Sequence, residues 1–312
     1  MLYPKNLNPF DEKEFLNPSS EYRGVPFWAW NCKITDEKID AQAEIFREMG
    51  MGGAMVHPRT GMDTEYMSKE YLQKVARAEE KLRDKGMYCW LYDEERFPSG
   101  CAGGLVTRNV NYRSRTLVIS LDAPEGMCEN KEEFDLLVSQ GQKPKGYKLC
   151  AYDIELRDGY LASYKISAGG RYHAWVEIMK ESGWFNGETY SDVFNPDATR
   201  EFLNITYEKY FDALNGHIGS SVPAVFTDEP HMKGKYCLAF PSSRRATLAY
   251  NEDMNEAFRV KWGKSILEIA PELIWELKDE VSFWRYRYHD FVTERFAACY
   301  GDIIGSWCEN TT

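Results

Sequence analysis

Three short apolar runs lie before residue 100, the first two each followed by a segment with helical spacing, and a fourth such run comes at 222–226. The first three are Gly24-Val25-Pro26-Phe27-Trp28-Ala29-Trp30-Asn31, Gly52 to Arg59 and Met87 to Glu94. Between them, Ile39, Ala43, Phe46 and Met49, then Tyr71, Leu72, Val75, Ala78 and Leu82, recur on one helical face. Strands separated by whole helices cannot form hairpins; they pair in parallel through right-handed crossovers. The alternation therefore restricts this part of the chain to the α/β class. Helix limits are legible too. Thr35 caps a helix over 36–49, with Lys38 where a full capping box would place Glu, and Gly50 stops it. A second helix runs over 68–85 to Gly86.

The pattern changes at about residue 107. Runs at 115–121, 147–156, 160–166 and 172–179 have β character without helix signals, and read as a small antiparallel insertion after strand three. A helix then starts at Asn195-Pro196 and runs to about Leu214, before the fourth strand. Residues 231–278 form a long excursion with a helix at 252–262, and Pro271 punctuates before an amphipathic helix over 279–300 that Gly301 follows. The expected organisation is a strap at 1–22, barrel strands one to three at 23–106, the β insertion at 107–192, and helix three, strand four and helix four at 193–312. Four strand–helix units are half of a (β/α)8 barrel of TIM type, and alone they leave two sheet edges and an apolar inner face uncovered. The expectation is the first half of a longer barrel, with the C-terminal half as its partner.

The strand ends carry the chemistry. They read Trp30-Asn31, His57-Pro58-Arg59, Tyr92-Asp93-Glu94 and Asp228-Glu229-Pro230. Polar and acidic groups at the mouths of buried parallel strands are the layout of a barrel's catalytic face. Pro230 has no N–H for a sheet ladder and should end strand four just after Glu229. Neighbouring strand residues face opposite ways, so one of Asp228 and Glu229 faces the centre unless the chain twists. Either could do acid–base work, and either could be a solvated strand end. Asp93 and Glu94 suit sugar hydroxyls or a cation, or ion pairs with Arg59 or Arg96. His57 and Arg59 suit substrate or acid positioning, and Tyr92 and Asn31 belong to the same face. Trp28 and Trp30 point the same way by alternation, toward either a sugar or the core. Asn195 reads first as a helix cap, with a ligand contact as the alternative.

Bulk properties exclude some partners. A net charge of −11 opposes binding to a nucleic-acid backbone, and no apolar run is long enough to span a membrane. Met1-Leu2-Tyr3-Pro4-Lys5-Asn6 lacks the pattern of a secretion signal. The eight cysteines are scattered without a C-x-x-C pair, and read as reduced, buried thiols of a cytoplasmic protein.

Pro26-Phe27-Trp28-Ala29-Trp30-Asn31 and Gly53-Ala54-Met55-Val56-His57-Pro58-Arg59 are the first of a set of stretches that occur in order. Trp90-Leu91-Tyr92-Asp93-Glu94 with Pro98-Ser99-Gly100-Cys101-Ala102-Gly103-Gly104, Phe194-Asn195-Pro196 and Phe226-Thr227-Asp228-Glu229-Pro230 complete it. Together they resemble the N-terminal part of the catalytic barrel of glycoside hydrolase family 106, the α-L-rhamnosidase-like enzymes, through most of residues 20–310. The resemblance implies inverting, often calcium-assisted cleavage of terminal rhamnosides, so an oligosaccharide or glycoside as substrate. By that analogy Glu229 is the proton donor, and the general base sits in later strands that this chain lacks. A calcium site rests on the resemblance alone, because no contiguous ligand loop is visible. The competing expectation is a non-catalytic carbohydrate-binding fragment that keeps the cleft without both acids.

Overall fold

β1 (Phe27–Trp30), β2 (Gly53–Pro58), β3 (Tyr88–Tyr92) and β8 (Val225–Phe226) lie side by side in that order, all parallel. The computed structural model that gives this sheet describes residues 10–122, 124–232 and 245–311. Positions 1–9 of the expected strap, and 233–244 of the excursion with Cys237, lie outside them. The chain divides into two units: Met1–Val106, Arg200–Pro230 and Ile303–Thr312 in the first, Thr107–Thr199 and His231–Asp302 in the second.

The first unit is the parallel sheet with its helices. α2 (Asp36–Glu48) is capped by Thr35, whose side chain accepts from the Lys38 N–H, and α3 (Lys69–Arg83) is capped by Ser68 in the same way. α3 buries Tyr71, Val75, Ala78 and Leu82 completely, and α2 buries Ile39 and Ala43. Each fully buried Val or Leu side chain contributes about 1.5–3 kcal/mol to this seam. The strands answer from their helix-facing side. Trp28 donates to Gln42 and meets the Phe46 ring edge-on, and Trp30 meets Tyr71 edge-on.

The opposite face of the sheet carries a row of rings. Phe27 touches His57 and Phe226, His57 touches Tyr92, and Tyr92 stacks on Phe226. Phe27 is 55% exposed, so this apolar face is only partly covered within the described residues. β1 and β8 are its two open edges.

β8 is shorter than expected. The Cys89 N–H donates to the Ser221 carbonyl and the Leu91 N–H to that of Ala224, while Pro223 between them has no N–H to return. Regular pairing also ends at Phe226 rather than at Glu229. The helix expected over 195–214 is two, α5 (Pro196–Ile205) and α6 (Tyr207–Ala213). They break at Thr206, whose hydroxyl donates to the Phe202 carbonyl. Of the strap, α1 (Glu12–Leu16) and a turn at Ser20–Tyr22 are described. Ser20 donates to the Gly86 carbonyl, and a Cβ on Gly52 would lie 2.1 Å from the Ser20 oxygen. The segment thus lies at the N-terminal ends of β2 and β3.

The second unit is built on an antiparallel sheet of order β6-β5-β7-β4-β9, from β4 (Arg115–Ser120), β5 (Gly146–Arg157), β6 (Tyr160–Ile166), β7 (Tyr172–Ile178) and β9 (Arg245–Ala249). Four of these are the β runs of the sequence. β9 comes from the later excursion, so the insertion is not one continuous stretch. α4 (Lys131–Ser139) is a helix where none was expected: Asn130 accepts from the Glu133 N–H, and Phe134 is buried.

α7 (Glu252–Trp262) follows the reading. α8 (Ile266–Ile274) does not, since Pro271 lies inside it. α9 (Phe283–Phe296) starts later than expected and belongs to the second unit. Gly301 does not end it: a π turn (Ala297–Gly301) leads into α10 (Asp302–Thr311). Among the described residues no helix is long and apolar enough to cross a membrane. The seven described cysteines are free thiols, and Cys32 is exposed rather than buried.

Candidate active site

The C-terminal ends of the parallel strands bring together Asn31, His57, Arg59, Tyr92, Asp93, Glu94, Asp228 and Glu229, all within the first unit. They separate into buried groups and groups that meet solvent. Asn31, Arg59 and Glu229 are exposed, and Asp228 is partly exposed. Tyr92, Asp93 and Glu94 are 0% exposed and His57 is 7% exposed.

Asp93 and Glu94 are buried and bonded to groups other than Arg59 and Arg96. Glu94 is the anchor of the glycine-rich loop. One carboxylate oxygen accepts from the N–H groups of Gly100, Cys101 and Ala102 at 3.1, 2.7 and 2.8 Å, and the other from those of Glu95 and Gly103. Gly100, Ala102, Gly103 and Gly104 all have positive φ, which turns successive N–H groups inward as an anion-binding nest. Burial pushes the Glu94 carboxyl up to about 8, and these donors pull against it. Every face of the carboxylate meets an N–H, so a proton fits only by displacing one of them. Arg96 instead lies 3.4 Å from Glu95.

Asp93 is enclosed in hydroxyls. It accepts from Ser99 at 2.5 Å and Tyr207 at 2.8 Å, and its carbonyl accepts from Tyr66 at 2.9 Å. Burial raises its carboxyl to about 6 even against these donors. Ser99 then reaches the fourth strand. Its hydroxyl accepts from the Asp228 N–H and its own N–H donates to the Asp228 carbonyl, each at 2.8 Å.

Asp228 receives the Tyr92 hydroxyl on its side chain at 2.8 Å. Burial and the Asp228 carboxylate hold the Tyr92 phenol far above its ordinary range, so it stays a donor. Tyr92 is enclosed, and its hydroxyl is given to Asp228. The His57 ring stands edge-on to Tyr92, centroids 4.0 Å apart. Burial and the Arg59 charge push its imidazole down to about 4, against the pull of Asp228, so it is neutral at pH 7. Its Nε2 is buried without a hydrogen-bond partner. Glu229 adopts φ +40, a left-handed conformation strained for a side-chain-bearing residue that precedes proline.

Two residues left with alternatives fall on the structural side. Trp30 is 1% exposed and packs toward the helices with Trp28, so it fills the core and does not line a cleft. Asn195 belongs to the second unit and works as a cap: its side chain accepts from the Asp197 N–H and donates to the Asn111 carbonyl. Ser99, in the glycine-rich stretch Pro98–Gly104 that enters the resemblance only as a whole, and the tyrosines 66, 207 and 210 carry no site role in the sequence alone. The Ser99 signal was a hydroxyl six positions after Asp93 in a loop that returns to the same strand end. No group of three or more His, Cys, Asp or Glu side chains among the described residues gathers to hold a metal, so no step is derived through calcium.

No protein-family model matches the chain, and no curated protein matches it. The fold has a solved counterpart. The structure of a rhamnosidase from Novosphingobium sp. PP1Y is similar over 97% of this chain, with a TM-score of 0.60 and 12% identity. This chain spans 46% of the length of that one. At such identity the likeness shows the fold alone: a mixed α/β arrangement of the kind found in a glycoside hydrolase.

Proposed function

We propose that this chain forms the N-terminal part of the catalytic domain of a glycosidase of (β/α)8 type, in the manner of family 106. In this reading it cleaves terminal α-L-rhamnosides, or a related sugar, with inversion. The observation that carries it is the pair Asp228-Glu229 at the mouth of a parallel strand, Glu229 exposed and Asp228 partly so, in a sheet whose first two strands also end in exposed polar residues, Asn31 and Arg59. Glu229 is the proton donor to the leaving oxygen. Asp228, held by Tyr92, is its neighbour at the strand end. Asn31 and Arg59 supply polar contacts to the sugar.

An inverting pair needs a second carboxyl about 6.5–9.5 Å from the first, with water between them. Asp93 and Glu94 are fully enclosed and bonded, so β3 offers no free carboxylate for that part. The base is assigned to later strands of a complete barrel. The same burial favours the alternative, a non-catalytic sugar-binding cleft.

The test is hydrolysis of an aryl α-L-rhamnoside by this chain and by a form extended through the following coding residues, each beside Glu229→Gln. Activity in the extended form, lost in the variant, is the expected result. Activity in neither, with other aryl glycosides also untouched, selects the sugar-binding alternative.

A further inference from the structure

We propose that Ser99 is a positioning residue that sets the backbone of Asp228 and thereby the direction of Glu229. The proposal rests on the reading of Glu229 as the acid group, and adds the device that aims it. Ser99 is 0% exposed and bonds Asp228 on both sides of one residue, accepting from its N–H and donating to its carbonyl. Two hydrogen bonds to one residue fix the peptide planes before and after it. The next residue is Glu229, at φ +40, and Pro230 then removes the conformational freedom on the other side.

The clamp is itself held. The Ser99 hydroxyl has one proton, which it gives to Asp93, and this leaves its lone pairs for the Asp228 N–H. Asp93 is oriented in turn by Tyr207. The chain beyond Ser99 cannot drift, because the N–H groups of residues 100–103 close on Glu94. Strand β3 thus reaches across to the end of β8 through a loop locked to its own two acids. Strain at Glu229 persists because these bonds over-determine the backbone before it.

Two measurements decide this. The first uses this chain and does not depend on activity. Glu229→Gly relieves the left-handed strain, and is expected to raise the thermal midpoint in the Ser99 protein. In Ser99→Ala the Asp228 N–H loses its acceptor while the backbone bond to the Asp228 carbonyl remains, so the same substitution is expected to give a smaller rise. An equal rise in both backgrounds overturns the clamp.

The second uses the extended, hydrolytic form. There Ser99→Ala is expected to lower kcat on the order of 10²-fold with KM nearly unchanged, as misdirection of a proton donor does. Ser99→Thr, which keeps the hydroxyl, should recover most of the rate. An unchanged kcat in Ser99→Ala overturns the positioning role while leaving Glu229 as the acid. If Glu229→Gln itself leaves hydrolysis intact, the acid assignment fails, and the thermal comparison still decides whether Ser99 sets the backbone.

Discussion

The hydroxyl of Tyr152 donates to the carbonyl of Leu267 at 2.8 Å, the acceptor that Pro271, four residues on, has no N–H to satisfy. A proline inside a helix ordinarily leaves that carbonyl without its partner. Here a fully buried phenol from β5 takes the place of the missing donor. Tyr152→Phe should cost about 1–2 kcal/mol of stability in urea unfolding. Combining it with Pro271→Ala should recover part of that loss, because alanine restores the N–H. Strictly additive effects would argue against the substitution of one donor for the other.

Glu94 closes the loop over 99–104 through backbone donors alone. Glu94→Gln turns an NH2 group toward N–H groups that need an acceptor. The expected cost is about 3 kcal/mol in chemical denaturation, with new protease sensitivity within the loop. A variant as stable as the parent would show that the loop holds itself.

His57 gives a pH dependence with a definite sign. Its folded-state value is about 4 against 6.5 for an ordinary histidine, so the folded state binds fewer protons between these limits. Its contribution to stability is present in full above pH 6.5 and is lost as pH falls toward 4. At ~1.4 kcal/mol per pH unit, the stability of the parent relative to His57→Phe should drop by roughly 3 kcal/mol over that window. A pH-independent difference in urea midpoints would mean that the imidazole does not titrate as its burial requires.

Tyr92→Phe tests the support of Asp228. The ring keeps its place against His57 and Phe226, and only the donor is removed. Asp228 is partly exposed, so water replaces some of the bond, and a loss of about 1 kcal/mol is expected from unfolding curves. In the extended form the same change should reduce hydrolysis more than it reduces stability.

The two long strand–helix units were legible because period, caps and stops agree: Thr35 and Ser68 begin helices, and the apolar stripes of α2 and α3 are unbroken. The short α4 was hidden because a single buried ring, Phe134, gives no period to detect. Pro271 looked like a boundary because its rescuing donor lies in a distant strand. At the strand ends, sequence names the residues without their surroundings. Asp93-Glu94 and Asp228-Glu229 look alike as letters, yet one pair is enclosed and the other reaches solvent. The difference comes from Ser99 and the glycines after it, whose hydroxyl and N–H groups consume the first pair.

The pairing of β3 with β8 also dictates an order of events during synthesis. These neighbours flank the whole 107–199 segment, so β3 leaves the ribosome long before its partner exists. Until then its outer edge is open to any passing strand, and closing so long a loop is slow. The antiparallel strands β5 to β7 can pair first through short connections, and β4 then joins β7, which brings the two ends of the intervening chain toward each other. Vectorial folding then makes β8, which leads into Asp228-Glu229, the last of these four strands to arrive.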